Sequence, residues 1–122
     1  MKPELKALHS PDVFDLEAWS PAGDFAVFIQ IMVGPLGEPG RESFDVMVCS
    51  PGALTKELEP GMVKSGRHYL FMESYDYPAL RRWIEERLAE AEGETWDDVA
   101  SRLSRIGRWE FEDYIPYTGP QA

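Results

Sequence analysis

One run of apolar residues, at positions 25–33, constrains the fold more than any other feature of the sequence. Both sets of alternate positions in this run are mostly apolar, and Gln30 is its only polar residue. A strand of this composition is typical of the middle of a sheet, where both faces are covered. The run is also far shorter than a membrane-spanning helix. We therefore predict a central strand inside a globular core.

Further strands are predicted on both sides of this run. Residues 4–9 should form an opening strand, and an irregular acidic stretch at 10–24 follows it. A turn-rich connection at 34–40 should lead into a strand at 43–48, where apolar residues alternate with others. Because the connection is short, we expect this strand to pair antiparallel with the central one.

Two more strands are predicted nearer the C-terminus, at residues 67–73 and 108–114. In both segments large aromatic residues alternate with other side chains, as expected for strands with one buried face. These aromatic residues should face the core: Tyr69, Phe71, Trp109 and Phe111.

Capping signals and apolar spacing predict three helices. Ser50 is placed as the N-cap of a short helix that begins at Pro51. Apolar residues at spacings of three and four predict a longer helix: Leu80, Trp83, Ile84, Leu88 and Ala91. Thr95 and Asp98 have the spacing of a capping box at the start of a third helix. Tryptophans 83, 96 and 109 are expected to pack in the core.

These elements predict the α+β class, with a mostly antiparallel sheet of about four to five strands, two longer helices and one short helix packed against it. The chain has no internal repeat and no linker. We expect one domain at residues 1–115 and a flexible C-terminal tail at 116–122.

The charge balance limits the classes of partner. The 122 residues include 22 acidic and 12 basic side chains, which gives a formal net charge of −10. Such a protein repels a phosphate backbone, so direct binding of nucleic acid is not expected. Acidity often serves only solubility, but it also attracts a basic partner. The absence of a signal-peptide pattern and of a long apolar segment predicts a cytoplasmic protein that does not bind membranes.

Residues that usually carry chemistry are scarce. His9 and His68 are far apart, and neither has the cysteine or histidine spacing of a metal site. Cys49, the single cysteine, lies in an apolar run and should be a buried hydrophobe. No nucleophile elbow or glycine-rich phosphate loop is present. The sequence therefore predicts no catalytic residue, no metal ligand and no cofactor.

Three segments of the sequence together resemble a known family. They are ESFDVMVCSP at residues 42–51, GRHYLFME at 66–73 and RIGRWEFEDY at 105–114. In this order, and after the opening LHSPD at 8–12, they resemble the immunity protein 8 family of bacterial polymorphic toxin systems. The resemblance implies an α+β protein that binds and neutralises the C-terminal domain of a cognate toxin. It implies no catalytic residues.

Charge and aromatic content indicate where a protein partner would bind. The predicted contact residues are Asp76, Tyr77, Glu110, Glu112 and Tyr114. An acidic surface suits a basic, nucleic-acid-binding toxin, so a nuclease is the expected partner.

Two alternatives to the toxin-binding function stay open. One is a small enzyme whose carboxylates, such as those of Glu110 and Glu112, tune each other's pKa, and the other is a scaffold or regulatory module with a non-toxic protein partner. The oligomeric state is not predicted.

Overall fold

The computed structural model describes residues 1–112, in which strands and helices are mixed along the chain. The strands are β1 (Pro3–His9), β2 (Ala26–Pro35), β3 (Glu42–Cys49), β4 (Tyr69–Phe71) and β5 (Arg108–Trp109). The helices are α1 (Pro51–Glu57), α2 (Tyr77–Ala89) and α3 (Trp96–Leu103). None of these three helices is long and apolar enough to cross a membrane. The predicted α+β class is confirmed, and the domain boundary predicted at residue 115 lies outside the described residues.

A single sheet contains all five strands. β2 lies between β1 and β3 and pairs antiparallel with both, which confirms the predicted hairpin. The outer edge of β3 is shared by two strands. Phe44 and Asp45 pair antiparallel with β5, whereas residues 47–49 pair parallel with β4. The parallel pair is possible because α1 and the loop after it carry the chain back before β4 begins.

The two longer helices cover one face of this sheet. Alternate side chains of β2 and β3 are buried on that face: Val27, Ile29, Ile31, Val33, Phe44, Val46 and Val48. Leu80, Ile84 and Leu88 of α2 belong to the same core, together with residues of α3. On the other face, Phe28 and Met32 are only half-buried. The central position of β2 is confirmed, but the prediction that both faces are covered is wrong, because α2 and α3 pack on the same side.

Local capping signals determine where the first and third helices begin. The Ser50 Oγ accepts a hydrogen bond from the Ala53 N–H at 3.3 Å. At α3, the Asp98 N–H donates to the Thr95 Oγ1 at 3.1 Å, and the Thr95 N–H donates to the Asp98 Oδ2 at 3.2 Å. Both predicted helix starts are confirmed, because each signal acts within three residues.

The aromatic residues of β4 do not point inward. Its parallel register places Leu70 beside Val48, which is fully buried on the helix-covered face. Tyr69 and Phe71 therefore point to the opposite side, since successive side chains of a strand alternate between faces. Phe71 is 50% exposed. The predicted inward aromatic face is thus wrong, because the register with β3 decides which side chains are buried.

The predicted strand at residues 108–114 is much shorter in the structure. β5 contains two residues, and a turn follows in which the Glu112 N–H donates to the Trp109 carbonyl at 2.9 Å. The Glu110 N–H still donates to the Ser43 carbonyl at 3.1 Å, and the turn then ends the pairing with β3. Trp109 packs against the core, whereas Phe111 is 38% exposed, so the prediction of a buried Phe111 is wrong.

Trp83 also differs from its prediction as a core residue. It lies at the margin of the buried stripe of α2, faces the gap between α2 and β4, and is 36% exposed. The Arg87 guanidinium covers its ring at 5.2 Å from the centroid. Trp96 and Trp109 do pack against the core as partly buried residues.

Candidate protein-interaction surface

Glu110 and Glu112, two of the predicted contact residues, follow β5 in the turn and therefore do not lie in a strand. The Glu110 Oε1 accepts a hydrogen bond from the Ser43 N–H at 2.8 Å. Glu112 accepts two hydrogen bonds from the Arg67 guanidinium, at 2.9 and 2.7 Å. The guanidinium holds the pKa of the Glu112 carboxyl below its ordinary value. Both carboxylates therefore hold the segment after β5 against its neighbours.

Asp76 and Tyr77 lie together at the start of α2. The exposed Asp76 is its N-cap, and its Oδ1 accepts a hydrogen bond from the Ala79 N–H at 3.1 Å. Tyr77 packs against the core, and its hydroxyl accepts a hydrogen bond from the Arg81 guanidinium at 3.4 Å.

The structure does not bring the two predicted pairs to one place. Glu112 contacts Arg67, which precedes β4, whereas Asp76 follows β4, so the pairs lie at opposite ends of that strand. Tyr114, the fifth predicted contact residue, lies outside the described residues.

An open groove of about 590 Å³ separates β4 from α2. Two large aromatic residues are among those that line it, Phe71 at 50% exposure and Trp83 at 36%. Glu73 and Asp76 supply its carboxylates, and no lysine or arginine is among the lining residues within 1–112. The remaining lining residues are Tyr69, Leu70, Met72, Ser74, Ala79 and Leu80. The groove thus combines exposed aromatic surface with negative charge.

The loop between β1 and β2 presents a fully exposed Phe14 among acidic residues. Its acidic neighbours along the chain are Asp12, Asp15 and Glu17. The loop backbone is anchored where Leu16 is buried, and the Leu16 carbonyl accepts a hydrogen bond from the Tyr75 hydroxyl at 2.5 Å. Phe14 is therefore held out toward solvent by a tethered loop. Sequence reasoning missed it, although a phenylalanine between acidic residues in an irregular segment is a usable signal.

Tyr75 connects this loop to the groove. Its ring makes edge contacts with Trp19 at 4.7 Å and Phe25 at 5.7 Å between centroids. Burial, together with the charges of Tyr77 and Asp15, raises the pKa of the Tyr75 phenol to about 12. Because Tyr75 precedes Asp76, the loop and the groove meet at one end of the molecule. We call this region the acidic end and define it by Asp12, Phe14, Asp15, Glu17, Glu73 and Asp76.

Of the cysteine and the two histidines singled out in the sequence, only His9 is exposed. Burial raises the pKa of the Cys49 thiol. The His68 Nε2 lies 2.9 Å from the Ser104 carbonyl oxygen, whereas His9 is exposed on β1. Among residues 1–112, no group of three or more His, Cys, Asp or Glu side chains is arranged to hold a metal ion.

Comparison with known proteins identifies the family. The sequence model of immunity protein 8 matches residues 3–114, which include every strand and helix described above. No curated protein and no solved structure matches the chain at a significant level. The match confirms the resemblance carried by the three segments of the sequence. The chain therefore belongs to the immunity protein 8 family.

Proposed function

We propose that this protein binds the C-terminal domain of a cognate toxin in the cytoplasm of the toxin-producing bacterium and neutralises it without catalysing a reaction itself. The observation that carries this proposal is the match to the immunity protein 8 family across residues 3–114. An immunity protein acts by forming a complex, so its surface must recognise the toxin.

The acidic end supports this role as the recognition surface. It combines carboxylates with the fully exposed Phe14, and aromatic anchors within a polar surround are typical of residues that dominate binding energy. The net charge of −10 favours rapid encounter with a basic partner and disfavours acidic ones. A nuclease toxin has such a basic surface, because it must hold a phosphate backbone. We therefore propose a nuclease as the partner.

The contacts that the predicted residues make within the protein decide which of them we test first. Asp76 belongs to the acidic end, and Tyr77 supports it from the core side. Glu110 and Glu112 already accept internal hydrogen bonds, which a partner would have to share or replace. They and Tyr114 stay predicted contacts, and the acidic end is the first surface to test.

Growth rescue provides the test of function. The C-terminal domain of the toxin encoded beside this protein is expressed in a susceptible bacterium, with and without the protein. We expect rescue together with a purifiable complex. A toxic domain that a folded, expressed protein neither binds nor neutralises would show that the proposed function is wrong.

A charge-reversal pair tests the surface. Asp12→Lys with Glu17→Lys should weaken binding by about tenfold or more and make the remaining affinity less dependent on salt. The matched control is Glu92→Lys with Glu94→Lys, which changes the net charge equally but lies between α2 and α3. Equal losses in both pairs would indicate a nonspecific charge effect and would exclude the acidic end as the recognition surface.

A further inference from the structure

Among the described residues, no strand pairs with the outer side of the β4 backbone. The Met47 N–H donates to the His68 carbonyl at 3.0 Å, and the Met72 N–H donates to the Cys49 carbonyl at 3.1 Å. In a parallel pair alternate residues bond to the neighbouring strand, so His68, Leu70 and Met72 direct their backbone groups to β3. The N–H and C=O of Phe71 therefore point away from β3. Within residues 1–112 no strand lies outside β4.

The groove beside this edge has the size and chemistry of a peptide site. Its volume of about 590 Å³ lies within the usual range for ligand pockets. The three residues of β4 extend for roughly 10 Å at about 3.3 Å per residue, which matches a short added strand. The partly exposed rings of Phe71 and Trp83 offer apolar surface that side chains of a partner would remove from water.

The charges along the groove favour an occupant that carries a basic residue, and they favour one end of the groove for that residue. Glu73 and Asp76 lie after β4, and both are exposed. Before β4, the Lys64 ammonium lies 5.6 Å from the centroid of the Tyr69 ring. A basic residue of the occupant is therefore attracted to the Glu73 end and repelled from the Lys64 end.

We propose that an extended segment of the toxin domain pairs with the free edge of β4 as an additional strand of the sheet. Successive side chains of the added strand contact Trp83 on the helix-covered face and Phe71 on the opposite face, and a lysine or arginine lies beside Glu73 and Asp76. Main-chain hydrogen bonds then supply affinity, and the two side-chain positions supply specificity, as in other cases of strand addition. The inference rests on the proposed function, because the toxin domain is the partner, and it specifies how that partner is held.

The test uses the full-length protein and the purified toxin domain from the rescue experiment. Calorimetry compares Phe71→Ala, Trp83→Ala and Glu73→Lys with two controls, Leu36→Ala and Glu59→Lys. Leu36 is similarly exposed but lies in the turn after β2, and Glu59 lies in the loop after α1. Each groove variant should weaken binding by about tenfold or more, and each control by less than about threefold.

Hydrogen exchange of individual amides, measured by NMR, tests the backbone part separately. The Phe71 amide should become at least about tenfold more protected in the complex, because it gains a hydrogen bond from the added strand. This measurement does not depend on how well the variants fold.

The outcomes separate this inference from the proposed function. If the wild-type protein does not bind the toxin domain, both are wrong. If it binds but the groove variants keep their affinity and the Phe71 amide exchanges as before, only the strand-addition inference is wrong. Protection of the Phe71 amide without toxin, accompanied by a dimer in sedimentation, would assign the edge to a second copy and would also overturn the inference.

Discussion

Glu42 accepts a hydrogen bond from the Trp109 indole, with 2.7 Å between its Oε2 and the Trp109 Nε1. The same oxygen accepts a hydrogen bond from the Trp96 Nε1, also at 2.7 Å. One carboxylate at the start of β3 thereby joins α3 to β5, which are separated by the connection at residues 104–107. Trp109 also stacks on Phe44, with the two ring planes within 9° of parallel.

Removal of the Glu42 carboxylate should destabilise the fold. Glu42→Ala leaves two partly buried indole N–H groups without their acceptor, and we expect the free energy of unfolding to fall by about 2 to 3 kcal/mol. Glu42→Gln keeps a neutral acceptor and should cost about 1 kcal/mol. Urea denaturation followed by tryptophan fluorescence measures both, with the exposed Glu38→Ala as control. A loss in Glu42→Ala as small as that in Glu38→Ala would contradict this role.

Tyr75 should make stability decrease in alkaline solution. Its pKa is raised from 10.0 to about 12 by folding, so below pH 10 the phenol is protonated in both states and its contribution is complete. As the pH rises from 10 toward 12, the unfolded chain loses this proton first, and the folded state is progressively disfavoured. Tyr75→Phe should cost about 1 kcal/mol at neutral pH through the lost hydrogen bond to Leu16.

The measurement for Tyr75 is the difference in unfolding free energy between the wild type and Tyr75→Phe, at about pH 8 and about pH 11. This difference should shrink at the higher pH, because only the wild type carries the titrating phenol. A difference that stays constant across this range would show that the phenol does not couple to folding.

Phe14 should affect binding and leave stability unchanged. Its side chain is fully exposed, so Phe14→Ala removes no core packing, and the unfolding free energy should change by less than about 0.5 kcal/mol. If Phe14 anchors the toxin, the same variant should weaken binding by about tenfold or more in calorimetry. Leu36→Ala is the matched control at the opposite end of β2. Unchanged affinity in a folded Phe14→Ala variant would remove Phe14 from the interface.

Gly34 should tolerate no side chain. A Cβ at this position of β2 would collide with the backbone carbonyl oxygen of Gly40, which cannot rotate away as a flexible side chain could. Gly34→Ala should therefore lower the unfolding free energy by about 2 kcal/mol or more. Gly66→Ala is the control, because open space surrounds that position, and its effect should stay within about 1 kcal/mol. Equal melting temperatures for the two variants would contradict the collision.

The sequence by itself determined the features that depend on nearby residues. The capping box of Thr95 and Asp98, the N-cap at Ser50 and the hairpin of β2 and β3 were all predictable, because each depends on a short spacing and a side-chain preference that acts locally. The α+β class followed from these elements, and the family from three segments in their order.

Only the tertiary structure decided which residues are available to a partner. Phe71 was predicted to be buried because it alternates within an apolar strand, but the parallel register with β3 turns Leu70 inward and Phe71 outward. Glu110 and Glu112 were predicted to contact a partner, yet Ser43 and Arg67, distant in sequence, bind their carboxylates. Periodicity indicates that one side of a strand is buried, but the pairing of distant strands decides which side it is.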